Sequence, residues 1–235
     1  MPRRRRVRWF TALALFVLAL GVGTAAPVLA MRWIDPPTTA FMLRDRYAAW
    51  RNETPGYSFA RQWTDWDAIS VHAKLAVIAA EDQKFPMHAG FDFESIGDAL
   101  EQARNGRGTR GASTISQQVA KNLFLWPGRS WLRKAIEAWF TVLIETLWPK
   151  PRILEVYLNV AEFGPGTFGI GAAAQRYFGK SAAALNAWEA ARLAAVLPSP
   201  KRLSAVAPSD YVVERQRWIQ GQMRRLAADR WIEQL

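Results

Sequence analysis

No charged side chain occurs between Arg8 and Arg32, and the intervening stretch, residues 9–31, is built mainly from Ala, Leu, Val and Phe. At a rise of about 1.5 Å per residue, about 20 residues of helix cross the roughly 30 Å of a bilayer's hydrocarbon core. Few structures are open to such a run, because in lipid a single segment must satisfy its own backbone groups and only a helix does so. Arg3, Arg4, Arg5, Arg6 and Arg8 precede it and Arg32 alone follows closely, which orients the N-terminus to the cytoplasm and the rest of the chain outside. A cleavable signal peptide is the competing reading, with small residues near Ala25 and Ala30 as its cleavage context. The apolar region is longer than the about 7–15 residues of such peptides, which favours an uncleaved anchor. The organisation expected is a basic cytoplasmic tail over 1–8, a transmembrane anchor over 9–31, a linker and membrane-proximal segment over 32–59, and the working domain over 60–235.

Half of the 235 residues are hydrophobic, enough for a sizeable core. Lys and Arg outnumber Asp and Glu by 31 to 20, a surplus that attracts polyanions: nucleic acid, anionic headgroups or a phosphorylated substrate. Export disfavours nucleic acid. The chain has no cysteine, which excludes disulfides, thiol nucleophiles and zinc-thiolate sites, and only two histidines, His72 and His88, which leaves few candidates for a Ser-His-Asp triad or a histidine-rich metal centre.

Within the exported part, residues 73–80 read as a buried helix with Leu75 and Ile78 on one face, and Glu81 leaves this low-polarity wall where the backbone turns. A carboxylate there is either a solvated helix-end charge or a group in use. Phe85-Pro86 prevents the helix from continuing, and Gly90 gives the loop a position free of Cβ restrictions. Residues 93–104 read as helix again. The Gly- and Arg-rich segment 105–111 is either a lid over an anion or a solvated surface loop. Ser113-Thr114-Ile115-Ser116-Gln117-Gln118-Val119-Ala120-Lys121-Asn122 opens a further helix with a capping-box pattern, Thr114 and Gln117. Its N-terminal amides and dipole suit phosphate oxygens, and Thr114, Gln117 and Lys121 share one face.

A long helix is predicted over 130–147, with Arg133 and Lys134 four and three residues before Glu137. That spacing makes either a surface ion-pair lattice or a cleft carboxylate held ionised by its cations. Pro151 begins another helix, with Ile153, Leu154, Tyr157 and Leu158 as its core face and Glu155 beside them. Two or three glutamates arising from apolar helices suit a sugar-transferring site. Gly164-Pro165-Gly166-Thr167-Phe168-Gly169 has dinucleotide-binding spacing, but that fingerprint needs a strand before it and a helix directly after inside an alternating strand-helix chain, whereas here a helix is expected before it and β-branched runs are scarce throughout. Gly179-Lys180-Ser181 lacks the first glycine of a phosphate loop. Residues 189–197 read as a buried helix and 213–226 as a basic amphipathic one.

In order along the chain stand Glu81-Asp82-Gln83-Lys84-Phe85 with His88 and Gly90, Gly111-Ala112-Ser113-Thr114-Ile115-Ser116-Gln117-Gln118 with Lys121-Asn122, Arg133-Lys134 with Glu137, Ile153-Leu154-Glu155 with Tyr157-Leu158-Asn159, and Pro198-Ser199-Pro200. On these motifs the chain resembles the peptidoglycan glycosyltransferases of family 51, most closely the monofunctional biosynthetic group, over roughly residues 60–225. The resemblance implies a mainly α, lysozyme-like domain outside the cytoplasmic (inner) membrane, in the periplasm. There it would polymerise lipid II, releasing undecaprenyl diphosphate as the glycan strand grows. By analogy Glu81 is the general base on the acceptor 4-hydroxyl, and Glu137 is the second essential glutamate, acting near the diphosphate directly or through a metal ion. Ser113, Gln117, Gln118, Lys121, Arg129 and Arg133 fall where the family holds diphosphates and sugars, and Thr114, Asn122 and Lys134 belong to the same matched motifs. Asp82 and Asn122 would have supporting roles. No cofactor is obligatory by this resemblance, although a divalent cation, Mg or Mn, could assist the diphosphate at Glu137. No Ser-x-x-Lys or Lys-Thr-Gly occurs, so transpeptidases and other cell-wall synthesis proteins are expected as partners that cross-link the product. A lytic, lysozyme-like enzyme cutting finished glycan is the alternative, disfavoured because neutral glycan gives the cations after Thr114 nothing to bind. A non-catalytic scaffold would leave the clustered polar residues without use.

Overall fold

The computed structural model describes residues 3–105, 113–128, 130–228 and 232. Most of the Gly- and Arg-rich segment, together with Arg129, lies outside the described residues. The chain opens with helix α1 (Arg3–Ala30), whose portion Thr11–Ala30 has a mean hydropathy of 2.2 and is long and apolar enough to cross a membrane. Helix α2 (Ala40–Arg51) starts at Thr39, whose hydroxyl accepts the Met42 N–H at 3.1 Å. After the short strand β1 (Ala60–Arg61), helix α3 (Val71–Glu81) is N-capped by the Ser70 hydroxyl. Residues 73–79 of α3 are buried on every side rather than along one face, as befits a helix with almost no polar surface.

Helix α4 (Phe93–Arg104) begins at Asp92, α5 (Ile115–Phe124) at Thr114, and α6 (Trp131–Leu147) at Ser130, each cap accepting a backbone N–H from the first turn. Helix α7 (Lys150–Val160) starts with a proline in its first turn, where the missing N–H costs nothing. Strands β2 (Glu162–Gly164) and β3 (Thr167–Phe168) follow, then α8 (Ile170–Phe178), α9 (Ala187–Val196) and α10 (Asp210–Ala228). The mainly helical architecture is the one expected. α3 packs against α9 and α10, and α5 against α6 and α7. Ile78, Phe85, Ile115, Leu154, Leu158 and Leu193 are fully buried between these layers, each worth about 1.5–3 kcal/mol of transfer free energy.

A small three-stranded sheet, which no alternation in the sequence predicts, accompanies the helices. β3 lies between β1, to which it is parallel (Ala60 beside Thr167), and β2, to which it is antiparallel (Glu162 beside Phe168). The glycines that imitate a dinucleotide motif build this hairpin: Gly166 sits in its turn with φ +67°, and a Cβ there would meet the Ser58 carbonyl at 2.6 Å.

The end of α1 is fastened to the domain. The Trp139 indole N–H donates to Thr24 Oγ1 (3.2 Å), the Trp148 indole N–H to the Val28 carbonyl (2.7 Å), and Arg152 to the Met31 carbonyl (2.9 Å). Val28 is fully buried against the core.

Candidate active site

Glu81 is the last residue of α3, and the chain turns away at Asp82, whose N–H still closes the helix on the Ile78 carbonyl. The apolar helix thereby carries a carboxylate to the rim of a cavity of about 920 Å³. Its side chain is 14% exposed, so burial pushes the carboxyl above its ordinary value of 4.5. The Gln118 amide, Arg215 and Lys121 pull it back, while Asp82 adds to the rise. Gln118 Nε2 donates to Glu81 Oε2 at 2.8 Å, and Arg215 Nη2 stands 3.6 Å from Oε1. The Tyr157 hydroxyl donates to Gln118 Oε1 at 3.2 Å, which turns the NH2 end of that amide toward Glu81. Burial and the charges of Glu81 and Asp82 raise the Tyr157 phenol well above its usual range, so it remains a donor.

Asp82 organises the loop rather than the cavity. It is buried, accepts the Ile115 N–H at 2.9 Å, and lies 3.0 Å from His88 Nε2. Since Gly90 N–H donates to His88 Nδ1 (3.0 Å), the His88 proton that faces Asp82 is on Nε2. Lys150 buttresses the same loop by donating to the His88 carbonyl (2.6 Å) and pairing with Glu145 (2.8 Å), which also accepts from Ser116 Oγ. Gly90, at φ +90°, is packed so closely that a Cβ would meet Thr141 at 2.8 Å and Glu145 at 2.9 Å.

Thr114 and Gln117 form the reciprocal capping box of α5, and the Thr114 hydroxyl also donates to the Gly90 carbonyl at 2.7 Å. Both are buried. The amides expected to be free for phosphate oxygens are partly spent: Ile115 N–H serves Asp82 and Gln117 N–H serves Thr114. What faces outward is Ser113, Gln118 and Lys121. These three form a wall common to the first cavity and to a second of about 490 Å³ lined by Gln117, Gly128, Arg133, Lys134 and Glu137. Asn122 is not among the described lining residues of either cavity.

Glu137 is 3% exposed, and both its oxygens are held: Arg133 Nη1 on Oε2 at 2.8 Å and Lys134 Nζ on Oε1 at 2.5 Å. The ion-pair ladder is therefore not an exposed surface lattice: Glu137 is buried, and the ladder forms the wall of a cleft. Arg133 Nε is buried with no hydrogen-bond partner among the described residues, an unspent donor beside a cavity. Burial lowers the Lys121 ammonium, whereas Glu137 and Glu81 raise it. A proton acceptor and a cluster of cations thus meet across one side chain, Lys121. Such a site can deprotonate a neutral nucleophile at one end and hold an oxyanion leaving group at the other.

Glu155, the third glutamate of the pattern, lies elsewhere: it accepts the Trp66 N–H at 2.7 Å and pairs with Arg152. Tyr157 and Arg215 carry no signal in the sequence that marks them as site residues. The periodicity of α7 marks Tyr157 only as core, and nothing in the basic α10 pattern distinguishes Arg215.

Residues 50–224 match the family model described as Transglycosylase. The chain is 50% identical over 232 residues to the biosynthetic peptidoglycan transglycosylase of Xanthomonas axonopodis pv. citri, an alignment covering 99% of this chain and 94% of that protein. It is 55% identical over 216 residues to the protein of the same name from Ectopseudomonas mendocina, covering 92% and 89%. The corresponding Chromohalobacter salexigens protein is 55% identical over 208 residues, covering 88% of each chain.

Proposed function

The chain belongs to the transglycosylase family, and on that premise we propose that it polymerises lipid II into linear β-1,4 glycan strands, with Glu81 as base and the cations around Glu137 as the diphosphate site. The observation that carries this reading is the common wall of Ser113, Gln118 and Lys121 between the cavity holding Glu81 and the cavity holding Arg133, Lys134 and Glu137.

In this mechanism Glu81 takes the proton of the acceptor GlcNAc 4-hydroxyl, and that oxygen attacks the donor's anomeric carbon from the face opposite the diphosphate. The C1–O bond breaks, its electron pair leaves with undecaprenyl diphosphate, and the α configuration becomes β. Diphosphate departs as an anion, so cations replace the general acid that an ordinary glycoside would need. A carboxyl raised by burial is a stronger base than one in water, and Gln118 fixes its direction. Lys121, Arg133 and Lys134 hold the leaving group, with Glu137 keeping the two α6 cations in place. In this reading Arg133 and Lys134, one on each oxygen of Glu137, supply the positive charge at the diphosphate, and a divalent cation such as Mg or Mn would assist there without being obligatory. No cluster of three or more His, Asp or Glu suited to a metal occurs among the described residues.

The reading places the lysozyme-like domain on the periplasmic side of the inner membrane, with transpeptidases and other wall-building proteins taking up the product. The docking of Thr24 and Val28 onto the domain favours retention of α1, since cleavage near Ala30 would remove both partners and cleavage near Ala25 would remove Thr24. Incubating the full chain in detergent with labelled lipid II tests the proposal. Polymer and free undecaprenyl diphosphate are expected. Failure to polymerise, or cleavage of finished glycan instead, would overturn it.

A further inference from the structure

Away from both cavities, helix α2 presents an apolar stripe to the outside. Met42 and Asp45 are buried against the domain, whereas Leu43, Tyr47 and Trp50, spaced by four and then three positions, share one face and are 54%, 57% and 75% exposed. The Tyr47 and Trp50 rings lean on each other, 5.8 Å between centroids. By helical angle Arg46 borders the stripe on one side and Arg44 and Arg51 on the other, and all three are exposed. The only acid in α2 is Asp45, which is turned inward to the Tyr57 hydroxyl (2.8 Å) and the Lys201 ammonium. The outward side is therefore apolar and aromatic along its middle, positive at its edges, and free of negative charge.

Two observations bring this stripe to the level of the bilayer surface. The segment between α1 and α2 is short and tied down: Arg152 donates to the Met31 and Ile34 carbonyls and pairs with Asp35 (2.9 Å), and Arg61 donates to the Pro36 and Pro37 carbonyls. The first turn of α2 also lies near the depth at which α1 leaves the hydrocarbon. Trp139 bonds Thr24, inside the apolar span; its neighbour Phe140 stacks on Phe124 of α5 at 4.3 Å; and one turn earlier on α5 the Lys121 ammonium lies 5.8 Å from the Phe41 ring.

Tyr and Trp, with an apolar body and one polar group, settle at a headgroup boundary, and a helix that adds flanking arginines lies in that boundary with its apolar face about 5–10 Å deep. We propose that α2 lies in the outer headgroup layer, with Leu43, Tyr47 and Trp50 immersed and Arg44, Arg46 and Arg51 on lipid phosphates. This rests on the reading of α1 as a membrane span. The clasp on α1 fixes the domain to the span but lets the two tilt together in the bilayer, and a second contact limits that tilt. Three side chains orient the domain without anchoring it, since even one myristoyl chain gives only marginal attachment.

The chain has no cysteine, so single cysteines can carry a nitroxide label. Full-length Leu43→Cys, Tyr47→Cys and Trp50→Cys are reconstituted in vesicles of phosphatidylethanolamine and phosphatidylglycerol. Power-saturation EPR then compares collisions with oxygen, which partitions into lipid, and with a water-soluble nickel chelate. Leu18→Cys, in the apolar span, and Arg224→Cys, exposed on α10, mark lipid and water. The three α2 labels should share an oxygen-to-nickel ratio at least about threefold above that of position 224 and below that of position 18. Wild-type melting temperature and lipid II turnover in detergent, expected because none of these side chains lines a cavity, establish that each labelled chain is folded. Ratios on α2 equal to that of position 224, with position 18 in lipid, overturn the proposal and leave the anchor standing. A watery ratio at position 18 overturns the anchor reading and the proposal with it.

Discussion

Replacing Glu81 by glutamine should remove activity without removing stability, and the two effects have separable origins in the structure. The carboxylate is held by one neutral amide at 2.8 Å and by an arginine at 3.6 Å, too few partners to offset its burial, which is why its carboxyl is raised in the folded chain. A raised carboxyl favours the protonated form on folding. Its contribution to stability is complete below the ordinary value of 4.5 and is lost as pH climbs through the folded value. Glutamine keeps the shape and a carbonyl for the Gln118 amide while discarding the charge, so at pH 7–8 the melting temperature should be unchanged or higher. The loss of a positioned base should cost about 10²–10⁴ in rate, about 3–5 kcal/mol of barrier. The assay is dansyl-labelled lipid II turnover together with thermal melts between pH 4.5 and 8. The wild type's rate should rise with pH through a midpoint above 4.5, and the stability difference between wild type and variant should move in the variant's favour over the same range. A variant retaining a third of wild-type turnover, or a wild-type midpoint at or below 4.5, would refute the assignment of Glu81 as a buried base.

Glu137→Gln should lower turnover severely and cost about 1–3 kcal/mol in a urea melt, because Arg133 and Lys134 lose a charged partner that is almost fully buried; near-normal polymerisation would return Glu137 to a purely structural ladder. Glu162, pushed up to about 7 by burial and Asp45 despite Lys201, stabilises most below 4.5 and loses that contribution as pH rises through 7. Glu162→Gln should therefore flatten the stability profile between pH 5 and 8, and urea midpoints that track the wild type across that range would contradict this. Deleting residues 1–31 should abolish membrane attachment in a flotation assay and lower the melting temperature, since the Trp139 and Trp148 indoles lose their acceptors and Arg152 loses one of its own, while leaving some polymerisation in detergent; co-flotation of the truncated chain with vesicles would show that α1 is not the anchor.

What could be read from the sequence was what neighbours along the chain decide. The capping box of Thr114 and Gln117, the spacing of Arg133, Lys134 and Glu137, and the stop after Glu81 are all set within four residues, and each took the expected form. Contacts between distant segments were not legible. Arg215 reaches Glu81 from the last helix, and Tyr157 uses a hydroxyl that the helical period could classify only as part of a core face. For Asp82 the resemblance implies only a supporting role, and the partners that define this role, the Ile115 N–H and His88, come together because the loop folds back on the start of α5. The sheet escaped notice since strands of two or three residues are too short to show an alternation.

The clasp between Trp139 and Thr24, and between Trp148 and Val28, joins the anchor to the same helix that carries Arg133, Lys134 and Glu137. A domain on a slack tether would visit its lipid-borne substrate at every height and tilt, and would lose binding energy to that freedom on each encounter. Here α1 and the cavity lined by Arg133, Lys134 and Glu137 are held on one helix, so their mutual distance does not depend on how the segment between α1 and α2 is arranged. Lengthening that segment should change little, whereas cutting the two indole contacts should set the catalytic domain adrift above its substrate.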